Sequence, residues 1–352
     1  MNQEMSAPKV LSTVNPTLNL HVGEWVEVRS VEEIMATLDA AHCVDRLPFM
    51  PEMIQYCGRR FRVFKSAHKT ADTSEFYTIR RMANAVHLEN VRCDGAGHGG
   101  CQAACLVFWK EAWLKRLPSD QGIADCQNRA SEPASGESGH TAIQELLEQS
   151  GRCLAASGEV ECYRCQATEM VKATGEVRRR ERWNPLFYVK DITSGNVKLV
   201  DFVRFGLFAV LNAFLIRWFG FRLPRLRGLA GDETPTGNLN LQPGDRVRVR
   251  SKEKIEATLS NNLRNRGMWF DVEMLAFCGK GPFMVRGRVE RIVNEKTGEM
   301  MALRNPCIIL DGVTCSGNYL YQRMFSPRHE YPFWREIWLE RITEHDGERV
   351  AK

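Results

Sequence analysis

The sequence has none of the short motifs that mark the commonest enzyme families. It contains no phosphate-binding loop, no dinucleotide fingerprint and no Ser/His/Asp order typical of a hydrolase, so neither nucleotide-dependent nor triad chemistry is predicted. It also lacks a strong excess of either charge. The net charge of +5 tolerates an acidic partner but is weak for a dedicated nucleic-acid binder.

A basic and then apolar leader is missing from the N-terminal residues MNQEMSAPKVLSTVNP, which do not resemble a secretory signal peptide. We therefore expect a cytoplasmic protein, in a reducing compartment where lasting disulfides are rare. The twelve cysteines of the chain then need another explanation. Clustered cysteines in such a compartment are more often metal ligands or reactive thiols than structural crosslinks.

Long apolar runs are scarce as well. The most apolar stretch, residues 205–216 (FGLFAVLNAFLI), has twelve uncharged residues, whereas a membrane-spanning helix needs roughly 20. A buried helix is the favoured interpretation. The alternative is a peripheral membrane contact through residues 197–227, because Trp218 and several arginines follow the run.

An internal repeat organises the rest of the sequence. GEWVEVRS and GDRVRVRS begin a match that continues without a gap at an offset of 221 residues, and small shifts extend it almost to the C-terminus. The matching segments include residues 23–30 with 244–251, Cys57 with Cys278, Cys93 with Cys315, and residues 108–114 with 333–339. So many matches in one order predict a duplicated module.

The pattern within one copy fits a small β-barrel best, although periodicity alone does not separate it from other small β-rolls. Alternating apolar and polar residues predict a half-buried strand after a turn, and Ser30 and Ser251 can each cap a short helix. The predicted fold is α+β and β-rich, with two repeated SH3-like small-barrel modules joined by a mainly helical middle region. The predicted divisions are an N-terminal tail (1–20), module 1 with a cysteine site (21–118), a linker (119–140), a middle region (141–227), a second linker (228–243), module 2 with a second cysteine site (244–343) and a C-terminal tail (344–352).

The most distinctive segment is CDGAGHGGCQAAC at residues 93–105. Its four glycines allow a tight loop that aims backbone N–H groups at thiolate or sulfide. If a helix begins near Cys101, then Cys101 and Cys105 share one face a single turn apart. The predicted ligands of module 1 are Cys57, Cys93, Cys101 and Cys105, with His98 as a substitute.

Module 2 has a less complete set of cysteines. The predicted ligands are Cys278, Cys307 and Cys315, with an open position filled by water, by Ser326, by His329 or by a cysteine of the middle region. Because open metal sites are the ones that carry out chemistry, we expect any activity here. The alternative is that this copy has lost its metal.

The middle region contributes a Cys-x-x-Cys, formed by Cys162 and Cys165. This spacing suits metal or cluster ligation, which we favour, but it is also that of a redox dithiol or of two incidental thiols. The isolated cysteines, interpreted as ordinary thiols, are Cys43, Cys126 and Cys153.

The spacing of the cysteines leaves the metal open between zinc and iron–sulfur. Structural zinc sites favour closely paired cysteines. Here single cysteines on separate segments surround a glycine-rich loop, an arrangement that suits a cluster. We favour one or two iron–sulfur clusters, with zinc as the alternative.

The motifs also resemble those of a family of bacterial, cysteine-rich, duplicated proteins without an assigned reaction, some of them encoded near polysaccharide or natural-product biosynthesis genes. The segments that carry the resemblance are YCG (56–58), HKTADT (68–73), CDGAGHGGCQAAC (93–105), YRCQATE (163–169), SGNV (194–197) and NPCIILDGVTCSG (305–317). The resemblance supports a metal site. It also implies that relatives carry cysteines where this chain has Ala71 and Ser326, one candidate ligand in each module.

The favoured function is a cysteine-liganded metalloprotein that acts as an enzyme or electron-transfer component in a bacterial biosynthetic pathway, with an unknown small-molecule substrate or redox partner. The alternative is a structural-zinc binding module of SH3-like repeats that contacts nucleic acid or a protein. Arg246, Arg248 and Arg250 alternate along one strand and would form the nucleic-acid contact. A solvated strand is the favoured interpretation of these arginines.

Overall fold

The computed structural model describes residues 17–72, 78–118, 137–154, 161–182, 184–318 and 324–342. Within them the chain is a mixed α+β protein whose strands pair in small antiparallel sheets, so the expected α+β class is confirmed. The predicted C-terminal tail, Cys126 and most of the predicted linker 119–140 lie outside the described residues.

The N-terminal part (residues 17–118) is built around the strand Trp25–Val28, whose two valines alternate into the core. Ser30 then caps the helix Val31–Met35. Its hydroxyl accepts a hydrogen bond from Glu33 N at 3.3 Å, and the Glu33 carboxylate accepts one from Ser30 N at 3.0 Å. The five strands of this sheet, in spatial order, are Trp109–Lys110, Ala85–Leu88, Arg60–Ser66, Trp25–Val28 and Leu114–Arg116.

The C-terminal part (residues 228–342) has a four-stranded sheet around the strand Arg246–Val249. Ser251 caps the helix Lys252–Glu256, and its hydroxyl accepts a hydrogen bond from Lys254 N at 3.5 Å. The four strands, in spatial order, are Met300–Leu310, Phe283–Val293, Arg246–Val249 and Leu339–Arg341.

Shorter elements complete both parts. Those of the N-terminal part are the hairpin of Cys43–Val44 with Leu47–Pro48, the 3-10 helices Pro51–Tyr56, Ala96–His98 and Glu111–Trp113, and the strands Lys69–Asp72 and Thr78–Arg81. Those of the C-terminal part are the hairpin of Arg264–Asn265 with Met268–Trp269 and the 3-10 helices Val272–Phe277 and Glu336–Trp338. The two parts therefore present similar elements in the same order along the chain.

A buried glutamate closes each part in the same way. The Glu111 carboxylate accepts hydrogen bonds from the backbone N–H groups of residues 18–20 at 2.6, 2.9 and 3.0 Å. The Glu336 carboxylate accepts them from residues 239–241 at 2.5, 3.0 and 3.3 Å. Both backbone segments thus belong to the folded parts, although the sequence pattern placed them in a tail and a linker.

Aromatic pairs form the centre of each core. Phe49 packs edge-on against Trp113 with ring centroids 5.4 Å apart, and Phe270 packs in the same way against Trp338 at 5.1 Å. All four side chains are almost completely buried. Large rings in such contacts contribute strongly to a small core, which explains why the FWKEAWL and FWREIWL segments occupy it.

The middle region packs against the N-terminal part. Its helices are Glu137–Gly151, Gln166–Glu169, Arg179–Arg182, Leu186–Thr193 and Leu199–Phe219, and its strands are Arg152–Leu154, Glu161–Tyr163 and Gly175–Glu176. The strand Gly175–Glu176 joins a three-stranded sheet with Thr78–Arg81 and Lys69–Asp72. The buried ammonium of Lys69 pairs with the buried carboxylate of Asp191, which ties the helix Leu186–Thr193 to this sheet.

The long helix Leu199–Phe219 is not the buried helix that its composition favoured. Only Phe205 and Asn212 are buried within it, and most of its large apolar side chains are exposed. By length and composition it is the one helix in the described part of the chain that could cross a membrane. The expectation was wrong because the helix carries apolar residues on all sides, while only one side meets the protein.

Two histidines, one fully buried and one partly buried, make the stability of the fold sensitive to acid. Burial lowers the pKa of His87 to about 3 from 6.5, although its Nδ1 lies 2.9 Å from the Val107 carbonyl oxygen, and burial lowers the pKa of His329 to about 4. Because the unfolded chain binds these protons more readily, stability is complete above pH 6.5 and falls as the pH drops towards 3.

We predict that His87 alone lowers the free energy of unfolding by on the order of 2 kcal/mol when the pH falls from 7.5 to 5, because the unfolded chain binds its proton and the folded chain does not. Urea unfolding at both pH values measures this loss. In His87→Gln, whose amide can still donate to Val107, the loss should be smaller by that amount. An equal loss in both proteins would show that His87 is not the acid-sensitive group.

Candidate metal centre

The glycine loop, residues 93–105, is a closed turn rather than the start of a helix. The backbone N–H of Cys93 donates to the Cys105 carbonyl at 2.9 Å, and the Gly95 carbonyl accepts from His98 N at 3.0 Å and Gly100 N at 2.9 Å. The predicted helix near Cys101 is absent, since residues 101–105 have no helical turn. The loop itself, not a helix face, therefore positions Cys101 and Cys105.

Gly95 shows why the loop needs glycine. Its φ of +75° lies in the left-handed region, and a Cβ added there would lie 1.9 Å from the Cys101 carbonyl oxygen. The backbone at Cys101 therefore approaches Gly95 so closely that there is room for the hydrogen atom of glycine but not for a Cβ.

The glycine loop is docked onto the C-terminal part. The Gln102 side-chain oxygen accepts from the backbone N–H groups of Glu290 at 2.6 Å and Arg291 at 3.1 Å. The Cys101 sulfur accepts from Val293 N at 3.4 Å. These contacts place the loop against the strand Phe283–Val293, so both halves of the chain meet at this point.

Four cysteines line one cavity at this junction. Three of them come from the glycine loop and the fourth, Cys165, comes from the middle region. The cavity, with the open solvent at its mouth included, has about 660 Å³ of space. The cysteines on its wall are Cys93, Cys101, Cys105 and Cys165.

The remaining wall is largely apolar, with one cluster of charged residues. Met50, Phe108 and Val293 are among the apolar residues that line it. Arg328 is buried beside them, and its guanidinium lies 2.9 Å from a Glu295 oxygen and 2.7 Å from a Glu330 oxygen. These two carboxylates hold the pKa of Arg328 above its usual range despite its burial, so a charged group from the C-terminal part borders the cavity.

Burial keeps three of the cavity thiols, those of Cys93, Cys105 and Cys165, protonated at neutral pH. It is the main reason that the pKa values of Cys93 and Cys105 lie well above 9.0, with additions from Glu52 and Glu295 respectively. Burial also raises the pKa of Cys165 to about 11. A metal that binds here must therefore displace protons, and its binding should strengthen as the pH rises.

One smaller group of potential ligands adjoins the cavity. His98 Nδ1 lies 2.7 Å from Glu52 Oε1, and the Cys93 thiol donates a hydrogen bond to the same oxygen at 3.0 Å. Burial by itself raises the pKa of Glu52, but the hydrogen bonds from His98 and Cys93 outweigh it and the pKa is lowered. Among the described residues, this is the one set of three or more His, Cys, Asp or Glu ligand atoms within 4.8 Å of one another.

Cys57, the expected fourth ligand of module 1, does not line the cavity. Its sulfur lies 3.9 Å from the Met53 carbonyl, and Cys278 repeats this contact with Met274 at the same distance. Burial raises the pKa of Cys57 to about 12. The repeat of this cysteine therefore reflects a shared packing position at the end of a 3-10 helix.

Among the described residues, the three cysteines of the second predicted centre form no set of ligand atoms within 4.8 Å of one another. None of the three lines the cavity. Cys307 is buried in a separate apolar cluster with Val289, where Arg335 Nη1 donates to its sulfur at 3.3 Å. The pKa of Cys315 is raised well above 9.0 by burial and by Glu273, while Cys278 packs against the core of the C-terminal part.

The substitute ligands of that centre are engaged elsewhere. Ser326 Oγ accepts from Ala71 N at 3.2 Å. The two positions where cysteines are expected in relatives therefore touch across the two halves of the chain and do not belong to two separate sites. The His329 ring packs edge-on against Phe64 with ring centroids 4.9 Å apart. Neither Ser326 nor His329 lines the cavity.

Cys162 and Cys165 have different environments although they share one motif. Cys162 forms a disulfide with Cys153 across the hairpin of Arg152–Leu154 and Glu161–Tyr163, so the expectation that it ligates a metal is wrong for this state of the protein. The expectation that Cys153 is an isolated thiol is wrong as well. Only Cys165 of the motif faces the cavity.

The three arginines of the alternative nucleic-acid contact lie on or beside the strand Arg246–Val249. Arg246 and Arg248 point away from the core. The Arg250 side chain donates to the Leu339 carbonyl at 3.1 Å and pairs with Glu340 at 3.7 Å. One of the three charges is thus partly neutralised within the protein.

Comparisons with protein-family models, curated proteins and solved structures gave no match to this chain. The family resemblance of its motifs stays a prediction. The chemistry of the cavity is therefore the basis on which a function is proposed.

Gly95→Ala should open the glycine loop. Gly58 provides a matched control, because its φ of +72° is almost the same but an added Cβ there meets no atom within 4 Å. We expect Gly58→Ala to cost about 1–2 kcal/mol, the price of a left-handed residue, and Gly95→Ala to cost clearly more because of the contact with Cys101. Urea unfolding of both variants measures the difference. Equal losses would contradict the close approach at Gly95.

Proposed function

We propose that this chain is an iron–sulfur protein that carries one cluster, held by Cys93, Cys101, Cys105 and Cys165. The observation that supports this most strongly is the convergence of four cysteines from two distant segments on one cavity. Four thiolates are the usual ligand set of both common cluster types. The donor set and the glycine loop both fit such a group.

The separation of the four sulfurs favours a cluster over a single zinc ion. In a tetrahedral zinc site with Zn–S bonds of about 2.3 Å, neighbouring sulfurs lie ~3.8 Å apart. No three of the four cavity cysteines come within 4.8 Å of one another. A group with several metal atoms does not require three sulfurs that close together.

A cluster with four thiolate ligands has no open coordination position for a substrate. Such a centre supplies one-electron transfer at a potential set by charge, hydrogen bonds and burial. In this site the Val293 N–H donates to the Cys101 sulfur, and Arg328 lies between Glu295 and Glu330 on the wall. We propose an electron-transfer role, in which these groups tune the potential of the centre.

The proposal gives the two halves of the chain different tasks. Their matching elements support two copies of one SH3-like module related by duplication, but only the N-terminal copy carries ligands. The C-terminal copy covers the cavity and supplies Val293, Glu295, Arg328 and Glu330 to its wall. We propose a bacterial biosynthetic pathway as the setting. We also propose the reducing cytoplasm as the location, where the disulfide of the exposed Cys153 with Cys162 is open to reduction.

A second candidate is a single zinc ion on Glu52, Cys93 and His98. It is favoured by the one observation that these ligand atoms already lie within 4.8 Å of one another. Three protein ligands and an open position are the pattern of catalytic zinc sites. The two candidates share Cys93 but differ in every other ligand.

Alanine substitution of the fourth ligand tests the proposed cluster. Cys165→Ala purified without oxygen should lose most of the iron, sulfide and visible absorbance of the wild type, because one of four thiolates is missing. Cys57→Ala is the matched control and should keep them, since Cys57 lies outside the cavity.

Glu52→Gln separates the two candidates. If the cluster proposal holds, this variant keeps its iron and sulfide, because Glu52 is not a ligand. Loss of stoichiometric zinc in Glu52→Gln, together with full metal content in Cys165→Ala, would establish the zinc site and refute the cluster.

A further inference from the structure

The long helix Leu199–Phe219 is fastened to the protein along one side. Asn212 is buried, and its side chain donates to the Leu223 carbonyl at 3.0 Å and accepts from Leu223 N at 2.6 Å. The Phe202 ring stacks on Phe325 with centroids 5.7 Å apart. The returning segment after Gly220 and the C-terminal part thus hold the inner side of the helix.

The opposite side is an exposed apolar stripe. Its side chains recur every three or four residues, so they lie along one face. Leu207, Val210 and Trp218 are 67%, 68% and 69% exposed. The stripe consists of Val200, Val203, Leu207, Val210, Phe214 and Trp218. A continuous apolar surface of this kind on a folded chain marks an interaction site.

Basic residues accompany this stripe along the chain and form its basic surround; Arg204, Arg217 and Arg225 each lie over an aromatic ring of the same segment. Residues 198–227 contain six basic side chains and one acidic side chain, Asp201, an excess of positive charge equal to that of the whole chain. The basic residues are Lys198, Arg204, Arg217, Arg222, Arg225 and Arg227. Within the part of the chain that the structure describes, none of the six side chains forms an ion pair.

The helix is placed to lie in a membrane surface rather than to cross the bilayer. The uncharged run between Arg204 and Arg217 has twelve residues, about 18 Å of helix, whereas the hydrocarbon layer is about 30 Å thick. Crossing would also remove Asn212 from its hydrogen bonds with Leu223. An in-plane position leaves the inner side attached and immerses only the stripe.

We propose that this chain docks on the surface of an anionic lipid bilayer through the stripe and its basic surround. The apolar side chains enter the boundary between head groups and acyl chains, with Trp218 at the level where indole rings are favoured. The arginines, which form no ion pair within the described residues, meet lipid phosphates. A symmetric contact between two copies would instead bring these like charges together. The proposal is independent of the metal centre.

Flotation with vesicles tests the docking. The full chain should float with vesicles of phosphatidylcholine and phosphatidylglycerol, much less with phosphatidylcholine alone, and less as the salt concentration rises. Arg225→Ala with Arg227→Ala should bind anionic vesicles about 30-fold more weakly, since each basic residue near such a surface contributes about fivefold. Leu207→Gln with Phe214→Gln should weaken binding about tenfold or more.

Leu146→Gln is the matched control, because Leu146 is 44% exposed on the separate helix Glu137–Gly151. It should float like the wild type. Three results would overturn the proposal: wild-type protein that stays with the unbound fraction, a Leu207/Phe214 variant that floats as well as the control, or a dimer in light scattering that the same variant abolishes while vesicles have no effect.

Discussion

The glycine loop can shape the cavity only because it is held twice, by a hydrogen bond within the loop and by contacts with a strand of the C-terminal part. Within the loop, the Cys93–Cys105 backbone hydrogen bond closes the ring, at 2.9 Å. Towards the C-terminal part, the side-chain oxygen of Gln102 accepts hydrogen bonds from two backbone N–H groups of the strand Phe283–Val293. Without that second contact the cavity would lack the part of its wall that the C-terminal part supplies, namely Val293, Glu295, Arg328 and Glu330. The docking of one half of the chain on the other is thus the constraint on which the site depends.

The same docking places both apolar and charged residues of the C-terminal part on the wall of the site. Arg328, from the C-terminal part, is buried, while the two carboxylates that neutralise it, those of Glu295 and Glu330, are partly exposed. An ion pair with a buried member adds little net stability, but removing its partners leaves an uncompensated buried charge. Its place beside Cys105 therefore points to electrostatic tuning of the site rather than to holding the fold together.

The sequence could predict the local parts of this arrangement. The strand and cap around Ser30 and the loop-borne cysteines are encoded within a few residues, and the structure has them. The sequence repeat favoured Cys57 as the fourth ligand. In the structure, Cys57 and Cys278 recur because each packs against a methionine carbonyl, that of Met53 or Met274. Cys165 lies sixty residues beyond the loop, and only tertiary packing brings it to the cavity. Likewise, the apolar content of the long helix could not show which sides the protein covers.

The central claim is that cysteines of the loop and of the middle region share one metal group. Alkylation of thiols by a small reagent, mapped by mass spectrometry before and after iron removal under anaerobic native conditions, tests it most directly. A shared cluster predicts that Cys93, Cys101, Cys105 and Cys165 are protected together and become reactive together. Reactive Cys165 in the iron-loaded protein, or protection that shifts to Cys57 or Cys278, would contradict it.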